Sequence, residues 1–171
     1  QLHRFINMAG GSTRAMNSYS TAAAQVILPH VVAPWGQMEL EQTNWDEITE
    51  HTEVMIVFGG VPLRNTQVAY GGITEHQSTL GFHGAQAKGV RFINVSPVRR
   101  DVVDAEDWIA PRPGTDVALM LGMAFELETN DLADKSFLAS HCVGYESFRT
   151  YLLGIDDGQP KTPEWASHIC D

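Results

Sequence analysis

Apolar positions along this chain fall into two kinds of run. Short, dense stretches of β-branched and aromatic residues stand at 53–60, "EVMIVFGG", and at 90–97, "VRFINVSP", with a weaker third at 107–111, "DWIAP". Runs of that length suit strands buried on both faces of a parallel sheet, with glycine or proline marking their ends. Elsewhere the apolar residues spread to helical spacing, at 74–88 and 116–127, and Gly89 is placed to stop the first of these. A serine at position 20 precedes Ala22, Ala23 and Ala24, where its hydroxyl is placed to cap a helix. Further helices are predicted over 134–140, 145–153 and 162–170, the last two separated by "GIDDGQPKTP", a cluster of turn residues.

The resulting order is helix, strand, helix, strand, short strand, helix. Such alternation calls for right-handed crossovers, which predicts an α/β fold: a Rossmann-like parallel sheet with helices on both faces. No internal repeat or low-complexity tract interrupts residues 1–171, which are expected to form mostly one α/β domain.

Composition narrows the partners. A chain of 171 residues with 43% hydrophobic content can bury one sizeable core. Its formal net charge of -10 opposes nucleic-acid phosphates and anionic lipid, and the basic residues form no run longer than Arg99-Arg100. Neither nucleic acid nor membrane insertion is expected. Cys142 and Cys170 have no CxxC or Cys/His ligand spacing and read as buried thiols. Among the histidines, His30 follows Pro29 at a helix end and none makes an i, i+4 pair suited to a metal. The first residues show neither an initiator Met nor a secretory signal, so the chain is expected to be an internal piece of a longer protein.

In open α/β sheets, ligands gather outside the carboxyl ends of the strands. Three loops follow the three predicted strands: 59–66, "GGVPLRNT", 96–101, "SPVRRD", and 111–116, "PRPGTD". Arg64, Arg99, Arg100 and Arg112 offer guanidinium groups to a pyrophosphate, and Thr115 or Asp116 is placed to cap the next helix, whose first N–H groups favour anions. Taken singly, each loop also reads as an ordinary solvated turn. The four tryptophans, Trp35, Trp45, Trp108 and Trp165, read as core or lid residues rather than stacking platforms. The pattern is nucleotide-like without a GxGxxG signature.

The words "FINMAGG", "SYSTAAAQVILPHVV", "ELEQTNW", "VPLRNT", "SPVRRD", "RPGTDVALMLGMA" and "DKSFLASHCVGYESFRTYLLGIDDGQPKTPEWASHIC", in this order, resemble the molybdopterin oxidoreductases of the dimethyl sulfoxide reductase type. Within that family the chain is most similar to the trimethylamine-N-oxide, dimethyl sulfoxide and biotin sulfoxide reductase branch. The resemblance runs from about Phe5 to Asp171. It implies that the chain is a fragment of a catalytic subunit several times longer, which holds a molybdenum bis(molybdopterin guanine dinucleotide) cofactor. It further implies that Ser20, the second serine of "SYS", is the protein's oxygen ligand to the metal. Arg64 and Asn65 are implied contacts to one guanine dinucleotide, Val95 and Ser96 approach the nucleotide, and Pro113, Gly114 and Thr115 surround the guanosine. Asp116 is implied to accept from guanine N–H groups. The chain departs from the family at Ser96, where a longer Asn or Asp is usual, at Arg64, where Lys is usual, and at "MNSYS", where Gly-Asp-Tyr-Ser is common.

The implied reaction is oxygen-atom transfer from an S-oxide or N-oxide, with two electrons and two protons completing the release of water. A c-type cytochrome is the implied kind of electron donor, and the periplasm the implied compartment, although some relatives are cytoplasmic. Alone, 171 residues are too few to enclose such a cofactor, so no isolated activity is expected. A second reading, a non-catalytic Rossmann-type nucleotide-binding or interaction domain, keeps the three loops and needs no metal ligand at position 20. A third, the formate dehydrogenase or nitrate reductase branch, is disfavoured because no Cys stands near Ser20.

Overall fold

Residues 2–13, 22–41, 43–66 and 77–171 are described by a computed structural model. They divide into two units, residues 1–44 and residues 45–171. The first contains α1 (Leu2–Met8), α2 (Ala22–Val31) and α3 (Trp35–Leu40). Pro29 sits inside α2 with one turn or less remaining, so the helix ends at Val31, close to where the Pro29-His30 pair places it.

The second unit is the α/β body. It opens with α4 (Trp45–His51) and continues through β1 (Val54–Phe58), α5 (Gln77–Ala87), β2 (Arg91–Val95), β3 (Asp107–Ile109) and α6 (Asp116–Thr129). It closes with α7 (Lys135–His141), α8 (Tyr145–Leu152) and α9 (Pro163–Cys170). The three expected strands are all present and pair in parallel in the order β1-β2-β3. Their register aligns Phe58, Val95 and Ile109, so all three carboxyl ends finish at one level. The helix expected over 74–88 is observed from Gln77, and residues 74–76 lie outside the described set.

One face of the sheet packs into the core. Val57 and Phe92 meet Phe82 and Ala85 of α5, with Trp45 of α4 and Met55 closing the cluster. Phe82 stands edge-on to Trp45, with ring centroids 6.4 Å apart, and lies 4.7 Å from Phe92. A Cβ at Gly81 would fall 2.2 Å from Trp45 Cγ, so glycine is what lets α4 and α5 come together. Cover on the opposite face is uneven: Val54, Ile56 and Ile109 remain 48%, 40% and 43% exposed. Small residues explain where α6 goes instead. Ala118 and Gly122 are buried, and a Cβ at Gly122 would come within 2.9 Å of Ala166 Cβ on α9, so α6 spends its narrow stripe on α9.

Caps follow the sequence in part. Asp134 accepts from Phe137 N–H at 2.9 Å to start α7, and Thr162 accepts from Trp165 N–H at 3.2 Å with Pro163 in the first turn of α9. Thr115 occupies the N-cap position of α6, but its hydroxyl donates back to Arg112 O at 2.6 Å and makes no side-chain cap. Of the two thiols, Cys170 is buried; Cys142 is exposed, because it sits at the extended C-cap of α7 instead of on a packed face.

Two of the buried charged residues, Lys161 and Glu128, secure the segments that follow β3. Lys161, 1% exposed, reaches Asp157 Oδ2 at 2.7 Å and Gln159 O, and its ammonium lies 4.2 Å from the Tyr151 ring centroid and 5.7 Å from that of Trp165. Glu128, at the end of α6, accepts from Lys135, Tyr145 and Arg149, tying α6 to α7 and α8. These hydrogen bonds, Lys135 foremost and then Tyr145 and Arg149, hold the Glu128 carboxyl down at about 2 from its ordinary 4.5. A carboxyl with a depressed folded-state pKa contributes stability above its unfolded value and loses it as pH falls through the folded one. Glu128→Gln should therefore be clearly less stable than the parent in urea unfolding at pH 7. That difference should shrink as pH drops from 4.5 to about 2. A gap that does not change over this range would show that the carboxylate's charge is not what holds α6 to α7 and α8.

Candidate functional site

Because the strands are parallel and in register, the turns that leave them emerge side by side. The ladder runs one step past the strands: Gly59 N–H donates to Val95 O at 2.9 Å and Ser96 N–H to Ile109 O at 3.0 Å. Beyond β1 the chain makes a 3-10 turn, Leu63–Asn65, and beyond β2 another at Arg99–Asp101.

Asp101 joins these two turns. It is 8% exposed; one carboxylate oxygen accepts from the Ser96 hydroxyl at 2.8 Å and the other from Arg64 at 3.3 Å. Its carbonyl accepts from Val61 N–H at 2.8 Å. The approach is possible only beside a glycine: Gly60 has φ of +76°, and a Cβ there would lie 2.3 Å from Asp101 Cβ. Asn94, fully buried on β2, donates to Val98 O at 3.3 Å and to Arg99 O at 3.1 Å and so braces the same turn from below.

Between the two turns and β3 lies a cleft of about 720 Å³. Its charged lining is Arg64, Arg99, Arg100 and Asp104, and its apolar wall includes Leu63, Val102 and Trp108. Arg64 is held by Asp101, yet its side chain remains 68% exposed; among the described residues, neither Arg99 nor Arg100 has a carboxylate partner. Arg99 lies over the Trp108 ring, 5.6 Å from its centroid. In a chain of net charge -10, a concave surface carrying three guanidinium groups and one carboxylate is locally cationic and suits a phosphate-bearing ligand.

The sequence-predicted residues are distributed unevenly around this cleft. Arg64 lines it and Asn65 adjoins it in the same 3-10 turn. Val95 and Ser96 are each 1% exposed; the Ser96 hydroxyl donates to Asp101 and accepts from Val98 N–H at 3.2 Å, so it shapes the loop from inside. The third loop, with Pro113, Gly114, Thr115 and Asp116, does not line the cleft. It lies next to the junction of α6 and α9, where Arg112 N–H donates to Cys170 O at 2.8 Å and its guanidinium pairs with Asp171 at 2.9 Å. A separate apolar groove of about 390 Å³ runs there, lined by Ile109, Pro111, Met123 and Cys170. Ser20, the residue on which the metal-ligand expectation and the capping expectation both rest, lies outside the described residues. Among the described residues, no three His, Cys, Asp or Glu side chains are grouped to hold a metal ion.

Two residues that shape the cleft escaped the reading of the sequence. Asp101 carries no motif of its own; the signal available was only its place five residues after Ser96, across one turn. Trp108 reads as core or lid from pattern alone, yet it is 42% exposed on the cleft wall.

No family model matches the chain. It is 42% identical, over 99% of its length, to a dimethyl sulfoxide/trimethylamine N-oxide reductase of Cereibacter sphaeroides, 21% of which it covers. Similarity extends to a trimethylamine-N-oxide reductase of Haemophilus influenzae, 40% identical over 99% of this chain and 20% of that protein. A biotin sulfoxide reductase of Cereibacter sphaeroides is 39% identical over 98% of this chain and 23% of that protein. The chain thus spans about a fifth of the length of the curated relatives it matches.

Replacing Gly60 by Ala tests the weld between the turns. Left-handed backbone and a contact with no room for a methyl together should lower stability by roughly 2–4 kcal/mol in chemical denaturation. A loss below about 0.5 kcal/mol, within the range of ordinary surface changes, would mean that the turns are not held at this point.

Proposed function

We propose, on the premise that this chain belongs to the dimethyl sulfoxide reductase family as the counterpart of one segment of its members, that the whole protein reduces S-oxides or N-oxides using molybdenum. The observation that carries this reading is an alignment that runs through 98–99% of the chain at 39–42% identity against reductases named for all three oxides. The cationic cleft at the strand ends supports it, because a guanine dinucleotide brings a pyrophosphate and a planar base to the place where α/β sheets receive nucleotides.

In this reading, a molybdenum molybdopterin guanine dinucleotide cofactor would supply the two-electron chemistry of oxide reduction. The chain's own residues bind and orient that cofactor. Ser20 would give the metal its protein oxygen ligand and so tune its electronic character. Arg64 neutralises phosphate charge, Asn65 adds hydrogen bonds beside it, and Arg99 and Arg100 extend the cationic wall. Val95 and Ser96 hold the second turn at the height the nucleotide needs, the serine through Asp101. Pro113, Gly114 and Thr115 close around the guanosine, and Asp116 accepts from guanine N–H groups. Substrate S-oxide or N-oxide meets the metal from elsewhere in the longer protein; a c-type cytochrome returns the electrons, and the periplasm is the compartment.

The decisive experiment uses the complete reductase. Ser20→Ala and Ser20→Cys should each lower S-oxide and N-oxide turnover at least about a hundredfold while the protein still folds, loss of an inner ligand exceeding the effect of outer-shell changes. Unchanged turnover with full molybdenum occupancy would overturn the assignment.

A further inference from the structure

Two apolar surfaces of the second unit meet at β3, and neither is fully covered by the described residues. The first is a face of the sheet. Parallel register puts Phe58, Val95 and Ile109 on one side, and the alternation along β1 adds Val54 and Ile56. Parallel sheets are buried on both faces, whereas Val54, Ile56 and Ile109 remain exposed here. The second is α6, whose residues 117–125, "VALMLGMAF", carry no charged or hydrogen-bonding side chain. Its buried stripe, Ala118 and Gly122, is spent on α9. On the opposite side Val117, Met120, Met123 and Leu127 follow one another at helical spacing and are exposed. A helix that is apolar all round belongs to the interior of a large protein. The groove of about 390 Å³ joins the two surfaces, because Ile109 lines it from the sheet and Met123 from α6.

We infer that this joined surface is the seat of a helix, apolar along one side, from the part of the longer polypeptide outside residues 1–171. The chain is about a fifth of the length of its relatives, so most of the polypeptide able to cover the surface lies outside it. A transient partner such as an electron-donor protein meets a surface with a polar rim, and α6 offers no polar side chain across 117–125. A helix is the fitting element because the connections of a parallel sheet cover its faces as helices. The inference rests on family membership and length. It is independent of the oxygen-transfer and nucleotide readings.

The test uses the complete protein, with each position read by peptide mass spectrometry. Ile56→Cys and Met120→Cys should each be alkylated by iodoacetamide at least about a hundredfold more slowly in the native protein than in urea, because reaction waits for local opening. That protection should persist through about a hundredfold dilution. Photo-methionine in place of Met120 and Met123 keeps the size of the side chain. It should cross-link to residues of the same polypeptide outside 1–171, at positions three, four or seven apart. Rapid alkylation of either thiol in the native protein would mean an open surface and overturn the inference. Protection that fades on dilution would assign the surface to a second copy, and protection that needs an added electron-donor protein would assign it to that partner. Cross-links confined to residues 1–171 would put the cover within this segment, and cross-links at every second residue would mean a strand. Each of these outcomes overturns the helix.

Discussion

A single carboxylate sets the geometry of the strand ends. Asp101 accepts from Ser96 and Arg64 and bonds the first turn through its carbonyl, and it does so against a glycine that leaves no room for a methyl group. Buried carboxylates are costly unless every lone pair finds a donor. Here the donors come from two different turns, so satisfying the charge also fixes one turn against the other. The cleft exists because of that constraint: Arg64 hangs from Asp101 on one rim, and Arg99 and Arg100 precede it on the other.

The distribution of charge gives the cleft its meaning. The chain as a whole is acidic, with 21 acidic residues against 11 lysines and arginines, yet three of those arginines gather at one end of the sheet. The net negative charge opposes anions at long range, whereas the three arginines make the cleft itself locally cationic. Such an arrangement favours a ligand that is held by close contacts over one that is steered in from solution. Burial of Lys161 among Tyr151, Trp165 and Asp157, and of Glu128 among three donors, belongs to a different task. These clusters fasten the helices that follow β3, away from the cleft.

The serine at 96 illustrates how a motif residue can shape a loop from within. Its hydroxyl is used internally, as donor to Asp101 and acceptor from Val98 N–H. Its carbonyl anchors Trp108. One residue thus sets the second turn through its hydroxyl and the aromatic wall through its backbone carbonyl.

The chain's own pattern determined the elements. Dense β-branched runs gave β1 and β2, "DWI" gave the third strand, and Asp134, Thr162 and Gly89 marked helix ends where they were expected, because these signals act over a few residues and need no distant partner. It also pointed to the strand-end loops, since topology alone puts the loops of a parallel sheet on one side. Tertiary structure decided what those loops do. It brought the first two together through Asp101, turned the third toward α9 through Arg112 and Cys170, exposed Trp108, and sent α6 to α9 instead of over β1. Each of those outcomes depends on contacts between residues tens of positions apart, where fit and charge satisfaction in three dimensions, not local propensity, select the arrangement.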